Sequence, residues 1–485
     1  MSLKKLASYS LYLIIPSLWL FSMTLIASRS DETAQRLQMN EIFGETPSPG
    51  ENEDWVGIYL NNEKIGYGYH SYQNAEKGIL FKEFMLMRIP LGGAVREVSA
   101  DNFALLDSTL AVKSFSSGMT SGEYDITIHG LVSNDNLELS YISGGKGSTK
   151  NIRLSDPLYF QGQVSRLVKQ AGFNPGRFSI PVFDPLSLNV SDLNVEVGNF
   201  SISEGDTVYP IGLTLSGIET VMTVDADGRV VMEDQPGGMM MKRESRNEAL
   251  KLKTVFGADE DFLVKLSVPS SAIIENPREA SYFKAILEDI DAKQYKLDDK
   301  STQLLVDEHP ITLEIDRENK RQVDYFTLQP FLKSTDFIQA DDPEIRKVSK
   351  SICEGHITDK EKAFAIGDWI YKNIEKDIAV SVPSAIEVLR VKRGDCNEHT
   401  ALYTALARAA GIPSKIVIGI VYKGGVFYYH AWPAVYLGYW HQLDPTFGQH
   451  TADATHIQLL EGGIEKQAEL VNVVGKLKVK VVECN

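Results

Sequence analysis

The spacing of apolar residues changes several times along this chain, and each change marks an element or a boundary. Residues 6–27 are apolar or weakly polar with no charge, long enough to cross a bilayer as one helix, and Lys4-Lys5 ahead of them are a positive flank expected to stay in the cytoplasm. The stretch is longer than the apolar core of a removed signal peptide, and no nearby cysteine follows for lipidation, so an uncleaved signal anchor is expected. Residues 29–54 are polar and acidic around Pro47-Ser48-Pro49-Gly50, the composition of a tether. From residue 55 to about 268, apolar and polar side chains alternate between turn signals, as in strands buried on one face. Residues 55–60 and 64–69 read as a hairpin about Asn61-Asn62, and 124–130, 137–142 and 221–232 continue the pattern, with one helix expected at 161–170. The alternation predicts a curved antiparallel sheet or half-barrel. Residues 278–292 then read as a helix, with short strands at 311–315 and 325–328, in a segment that connects two domains.

Beyond residue 340 the period becomes helical. Asp342-Pro343 opens a helix to about residue 353, and Thr358-Asp359-Lys360-Glu361 is a capping box for a second helix carrying Ala363, Ile366, Ile370 and Ile374 on one face. Asp395 and Glu398 repeat the capping spacing ahead of Leu402, Ala405, Leu406 and Ala409, and Gly411 closes that third helix. Residues 415–422, 426–435 and 439–444 read as strands, the last two joined by a three-residue loop Tyr436-Leu437-Gly438. Pairing Val435 with Tyr439 would put His430 directly opposite Asp444 on one face. A loop of two or four residues would send those side chains to opposite faces.

The fold class expected from these patterns is α+β. It comprises a transmembrane helix within residues 1–28, a linker at 29–54, an antiparallel β-rich domain at 55–270, a connecting segment at 271–339 and a C-terminal α+β domain at 340–485. A net charge of −16 without any sustained basic cluster excludes nucleic acid and polybasic lipid binding, and favours a protein or peptide partner. The anchor would place the chain on the cytoplasmic membrane as a single-pass protein, with its bulk in the periplasm or an equivalent extracytoplasmic space.

The chemistry is concentrated between residues 394 and 449. Cys396 falls at the first helical position, where unsatisfied backbone N–H groups and the helix dipole favour thiolate and offer an oxyanion donor. Taken alone, Cys396 would be a small buried hydrophobe, His430 a sheet histidine and Asp444 a turn residue before Pro445. Their coincidence in this order favours a nucleophile, a base and a residue that orients the base. A competing metal site would combine Cys396 and His399 with His430 or His441, but the chain has neither paired-cysteine spacing nor an HExxH motif. His450 and His456 read as exposed loop or rim residues.

Gly394-Asp395-Cys396, a helix ending in Ala410-Gly411-Ile412-Pro413, then His430-Ala431-Trp432 and Trp440 with Leu443-Asp444-Pro445-Thr446, resemble the core of the transglutaminase-like superfamily. That fold is related to papain-type cysteine proteases, and the resemblance covers roughly residues 341–449. It implies Cys396 as nucleophile, His430 as general base and acid, and Asp444 as the orienting carboxylate. Many members carry glutamate where this chain has Ala434, which bears on packing or substrate contacts and not on the triad.

The expected function is that of a membrane-anchored extracytoplasmic thiol enzyme acting on peptide or glutamine amides through an acyl-thioester, as a protease, amidase or transglutaminase. Water as acceptor gives hydrolysis and an amine gives cross-linking, and the residues do not choose between them. No cofactor is required, and no EF-hand pattern argues for calcium. The alternative is a non-catalytic envelope module that uses the same fold for binding. Of the three cysteines, a Cys353–Cys484 disulfide would leave Cys396 free, though two other pairings are open.

Overall fold

Alternation along residues 53–243 produces one antiparallel sheet of fifteen strands, seen in a computed structural model that describes residues 53–143, 145–203, 205–252, 262–322, 328–378, 381–382 and 384–485. Two meanders build it, one running from Glu53–Leu60 to Lys146–Arg153 and the other from Gly176–Asp184 to Met239–Arg243. They join where Ile58 pairs with Met241. Strands Val112–Ser121 and Gly176–Asp184 stand ten places apart in the strand order, roughly 48 Å in a flat sheet at about 4.8 Å per strand. Yet the rings of Phe115 and Phe183 are 4.8 Å apart, and Lys150 Nζ donates to the Leu188 carbonyl at 3.1 Å. The sheet must therefore curl strongly, as the alternation suggested. Phe81, Phe115, Ile128, Leu139, Phe160 and Phe183 fill part of the curl. Residues 161–170 are helical as expected, a 3-10 turn running into the helix Val164–Gln170.

The α+β expectation needs correction. Strand accounts for 49% of the structure and helix for 20%, so the fold is mostly antiparallel β. The transmembrane helix expected within residues 1–28 lies outside the described residues, and among the described residues no helix is long and apolar enough to cross a membrane. The helix expected at 278–292 is instead centred on a strand, Tyr282–Glu288, in which Phe283, Ala285 and Leu287 alternate inward. That strand lies between Ile311–Asp316 and the C-terminal strand Lys478–Cys484 in a four-stranded sheet, so residues read as a connection supply a structural layer. The strand expected at 325–328 falls largely on residues outside the description.

A second sheet is centred on Ser414–Lys423, flanked by Val426–Tyr436 and His456–Glu461. Its residues Ile418, Ile420, Phe427 and Ile457 share one core with Phe283, Leu313 and Ile315 of the four-stranded sheet. On the other side pack the helices Pro343–Cys353, Asp359–Asn373 and Cys396–Ala409, through Ile366, Ile370, Leu402, Tyr403 and Leu406. Each fully buried leucine there contributes about 1.5–3 kcal/mol relative to exposure. Tyr124 of the large sheet enters this helical core and its hydroxyl donates to the Arg393 carbonyl, three residues before Cys396. Glu387 accepts from the Asp125 N–H at 3.3 Å and the Ser143 hydroxyl at 3.0 Å, so the large sheet braces the segment leading to that helix. The three cysteines are free, so the expected Cys353–Cys484 bond is not formed. Cys353 packs with the helices and Cys484 with the two-sheet core.

Candidate active site

Cys396 begins its helix as the capping pattern requires. The Asp395 side chain accepts from the Asn397 N–H at 3.0 Å, and Glu398 reaches back to accept from the Asp395 N–H at 2.8 Å. One turn on, the Thr400 hydroxyl donates to the Ala431 carbonyl at 3.1 Å, fastening the helix to the strand that carries His430. Cys396 is partly exposed as a residue, but its sulfur is buried and accepts from the backbone N–H of Ala431, the neighbour of His430. The helix start alone does not set its ionisation. Burial pushes the thiol well above its ordinary value, Asp395, Glu398 and Asp444 add to that rise, and the Ala431 N–H only partly offsets it. A thiolate here needs a partner to take the proton.

The expected partner is His430. His430 Nε2 lies 2.8 Å from Asp444 Oδ2, with both residues buried. Because a carboxylate oxygen only accepts, Nε2 carries the proton, which leaves Nδ1 as the basic nitrogen of a neutral imidazole. The ring lies between Trp432 and Phe447, with centroids 5.9 and 5.1 Å away and planes within 22° and 12° of parallel. Asp444 Oδ1 accepts from the N–H groups of Thr446 at 2.7 Å and Phe447 at 3.1 Å. Burial alone would raise the Asp444 carboxyl, but His430 and His456 outweigh it and hold it well below the usual carboxylate range.

The hairpin reaches this arrangement by another register. Tyr436 pairs with Trp440 and Ala434 with Gln442, so the three-residue loop is Leu437-Gly438-Tyr439, one residue later than expected. The loop remains odd in length, which preserves the facing rule. The strand Trp440–Gln442 then ends, and Asp444 leaves the ladder to bridge with Gln449 before it meets His430.

His456, expected at an exposed rim, is fully buried, and its Nε2 lies 3.1 Å from the same Asp444 oxygen. Its Nδ1 lies 3.1 Å from the Asp453 carbonyl and 3.4 Å from Asp453 Oδ1. Asp453 in turn binds Arg278 Nη1 at 2.6 Å. The one local hint is that His456 heads the mainly apolar segment Ile457-Gln458-Leu459-Leu460, where a charged rim residue is out of place. Nothing near Arg278 in sequence announces it.

Among the described residues, His430, Asp444 and His456 are the group whose ligand atoms lie close enough to hold a metal, within 4.8 Å of one another. Both Nε2 atoms already face one carboxylate oxygen, the pattern of a hydrogen-bond network. The cysteine-containing set is not assembled in that group. His399 is buried with Nδ1 2.6 Å from the Asp395 carbonyl, while burial drives His441 down to about 4. His450 is more open, as expected, and pairs with Asp368 at 2.8 Å.

Residues 346–445 match the family model of the Transglutaminase-like superfamily. Kyphoscoliosis peptidase of Homo sapiens is 34% identical over 123 residues, which are 22% of this chain and 18% of that protein. The chain thus spans less than a fifth of that relative's length. A candidate cysteine protease from Cytophaga hutchinsonii is 17% identical, covering 42% of this chain and 85% of its own, with a TM-score of 0.28. A β-barrel-like protein of a domain of unknown function, DUF1849, from Brucella abortus covers 40% of this chain and 95% of its own at 10% identity, with a TM-score of 0.33. Scores this low equate neither fold with this one. Residues 346–445 of this chain are a transglutaminase-like domain, as the family match shows.

Proposed function

We propose that this protein is a cysteine-dependent acyl-transfer enzyme acting on amides of a protein or peptide. In the first step His430 Nδ1 takes the Cys396 proton while sulfur bonds to the amide carbonyl carbon, and the oxyanion that forms is met by the backbone N–H at the helix start. His430 then returns the proton to the departing amine as the C–N bond breaks, leaving an acyl-thioester. Water or an amine, deprotonated by His430, attacks that thioester, and the thiol is restored. Asp444 holds Nε2 protonated throughout.

The observation that carries this reading is the 2.8 Å bond from His430 Nε2 to a buried Asp444, which leaves the other ring nitrogen to act as base, on the strand whose next residue, Ala431, donates its N–H to the Cys396 sulfur. Its test is alkylation of the intact chain with iodoacetamide near pH 6, followed by peptide mapping. Cys396 should label at least about tenfold faster than Cys353 or Cys484, since only thiolate reacts. Equal labelling, or an equal rate after His430→Ala, would leave a binding module as the better reading. We also propose an extracytoplasmic site of action, on the uncharged residues 6–27 behind Lys4-Lys5. Activity of an alkaline phosphatase fused after residue 485 supports that location, and an inactive fusion opposes it.

A further inference from the structure

A ring of contacts closes around His430 through residues that the superfamily match does not reach. It runs from His430 Nε2 to Asp444 Oδ2 (2.8 Å), from that oxygen to His456 Nε2 (3.1 Å), and through the imidazole to Asp453. Asp453 binds Arg278 at 2.6 Å, the Arg278 guanidinium lies 4.5 Å over the Phe447 ring, and Phe447 stacks on His430. Arg278, Asp453 and His456 all lie outside residues 346–445.

Both ring nitrogens of His456 face atoms that only accept. Nε2 meets a carboxylate oxygen, and Nδ1 meets the backbone and side-chain oxygens of Asp453, so each nitrogen must carry a hydrogen. We propose that His456 is a doubly protonated positioning residue that fixes Asp444 and, through its positive charge, sets how firmly His430 holds the proton taken from Cys396. This rests on the reading of Cys396, His430 and Asp444 as an acyl-transfer site, and adds a regulating element to it.

The surroundings favour that charge. Asp444 and Asp453 face His456 directly, Arg278 partly neutralises Asp453, and Arg317 Nη2 donates to the carbonyls of Asp453 at 3.4 Å and His456 at 3.1 Å. Trp432 and Phe447 wall the ring at 5.1 and 6.1 Å, with the His430 ring 5.8 Å away. Burial disfavours the charged form, but Asp453 and Asp444 overcome it and raise His456 above its ordinary value. The His456 cation, its ring 5.8 Å from that of His430 in a buried site, opposes a second imidazolium there. His456 therefore spends part of the Asp444 charge and keeps the proton on His430 loose enough to reach the leaving amine.

The test is the pH profile of Cys396 alkylation by iodoacetate in the full chain, compared with His456→Gln and Asp453→Asn. The reagent's negative charge slows the reaction once the positive charge beside the thiolate is lost. Glutamine keeps one donor toward Asp444 without the charge, and asparagine keeps an acceptor for Arg278 and the backbone contact to His456 Nδ1 while removing the carboxylate charge that favours the His456 cation. In both variants the alkaline limb of that profile should move up by on the order of one pH unit. A thermal melt establishes that each variant folds. A limb within about 0.2 unit of the wild type in a folded variant overturns the proposal and leaves the acyl-transfer reading standing, since a merely structural role would not shift it. A wild-type profile with no such limb sinks both. The ¹⁵N-histidine spectrum of the intact protein at pH 7 should also show an exchange-protected ring with both nitrogens protonated that disappears in His456→Gln, and finding no such ring overturns the proposal.

Discussion

Asp444→Asn isolates the orienting role of one atom. Asp444 accepts four hydrogen bonds, two imidazole donors on Oδ2 and two backbone donors on Oδ1, and an asparagine has only one oxygen for them. The backbone N–H groups of Thr446 and Phe447 cannot rotate away, so the amide oxygen stays with them and the NH₂ faces the imidazoles. His430 then has to present a bare Nε2 to that NH₂, and its proton moves to Nδ1. The nitrogen meant to take the thiol proton is occupied. Cys396 is left to titrate as a buried thiol whose value lies well above 9, so at pH 7 no more than about 1% of it is thiolate. Alkylation should therefore fall by at least about a hundredfold from that of a fully formed ion pair. Acyl transfer should fall further, by roughly 10⁴ if the carboxylate matters as in the serine protease triad, or about 5 kcal/mol of barrier. The assay is iodoacetamide labelling from pH 5 to 9 with Cys353 and Cys484 as internal standards. Labelling of the variant within about threefold of wild type at pH 7, with an unchanged profile, would refute the tautomer argument.

Other expectations concern the frame around the site. A Cβ at Gly419, opposite His430 in the strand pair, would sit 1.9 Å from the Ile457 carbonyl oxygen, so Gly419→Ala should cost about 3 kcal/mol or more, read as a lower urea midpoint. Thr400→Val removes the buried hydroxyl bond to Ala431 and should cost about 1 kcal/mol by the same measurement, with slower Cys396 labelling as the helix loosens from the strand. Stability should also depend on pH in a defined window. Asp444 and Asp453 are held below their ordinary 3.8, so their contribution is present above that pH and is lost as pH falls through the depressed values. His456 is raised above 6.5, so its contribution is complete below that pH and is lost as pH climbs past the raised value. The urea midpoint should peak between roughly pH 4 and 6.5, and His456→Gln should flatten the alkaline side.

Local features of the fold were legible because their causes are local. Asp395 and Glu398 lie within one turn of Cys396, so the helix start could be placed from their spacing and the structure agrees. Parity in the hairpin was legible too, while its offset was not, since Gly438 at φ 85° serves the middle of the loop as well as its end. Residues 278–292 misled because Glu279, Ala280, Lys284, Ala285 and Glu288 suit a helix. Their strand is fixed by residues 311–316 and 478–484, which no short window contains. The same distance hid Arg278 from Asp453. The thiol was misjudged for a different reason, because the helix start favours thiolate but burial and three carboxyl groups, visible only once the chain is folded, act the other way.

The most direct test of the account is to find where an acyl group lands. Incubation with an activated peptide ester, acid quenching and peptide mapping should place the acyl group on Cys396, with added hydroxylamine discharging it as a hydroxamate and His430→Ala slowing its formation by about 10² or more. Acylation spread over lysines, or located on Cys353 or Cys484 with Cys396 untouched, would contradict the claim that Cys396, His430 and Asp444 work as one site.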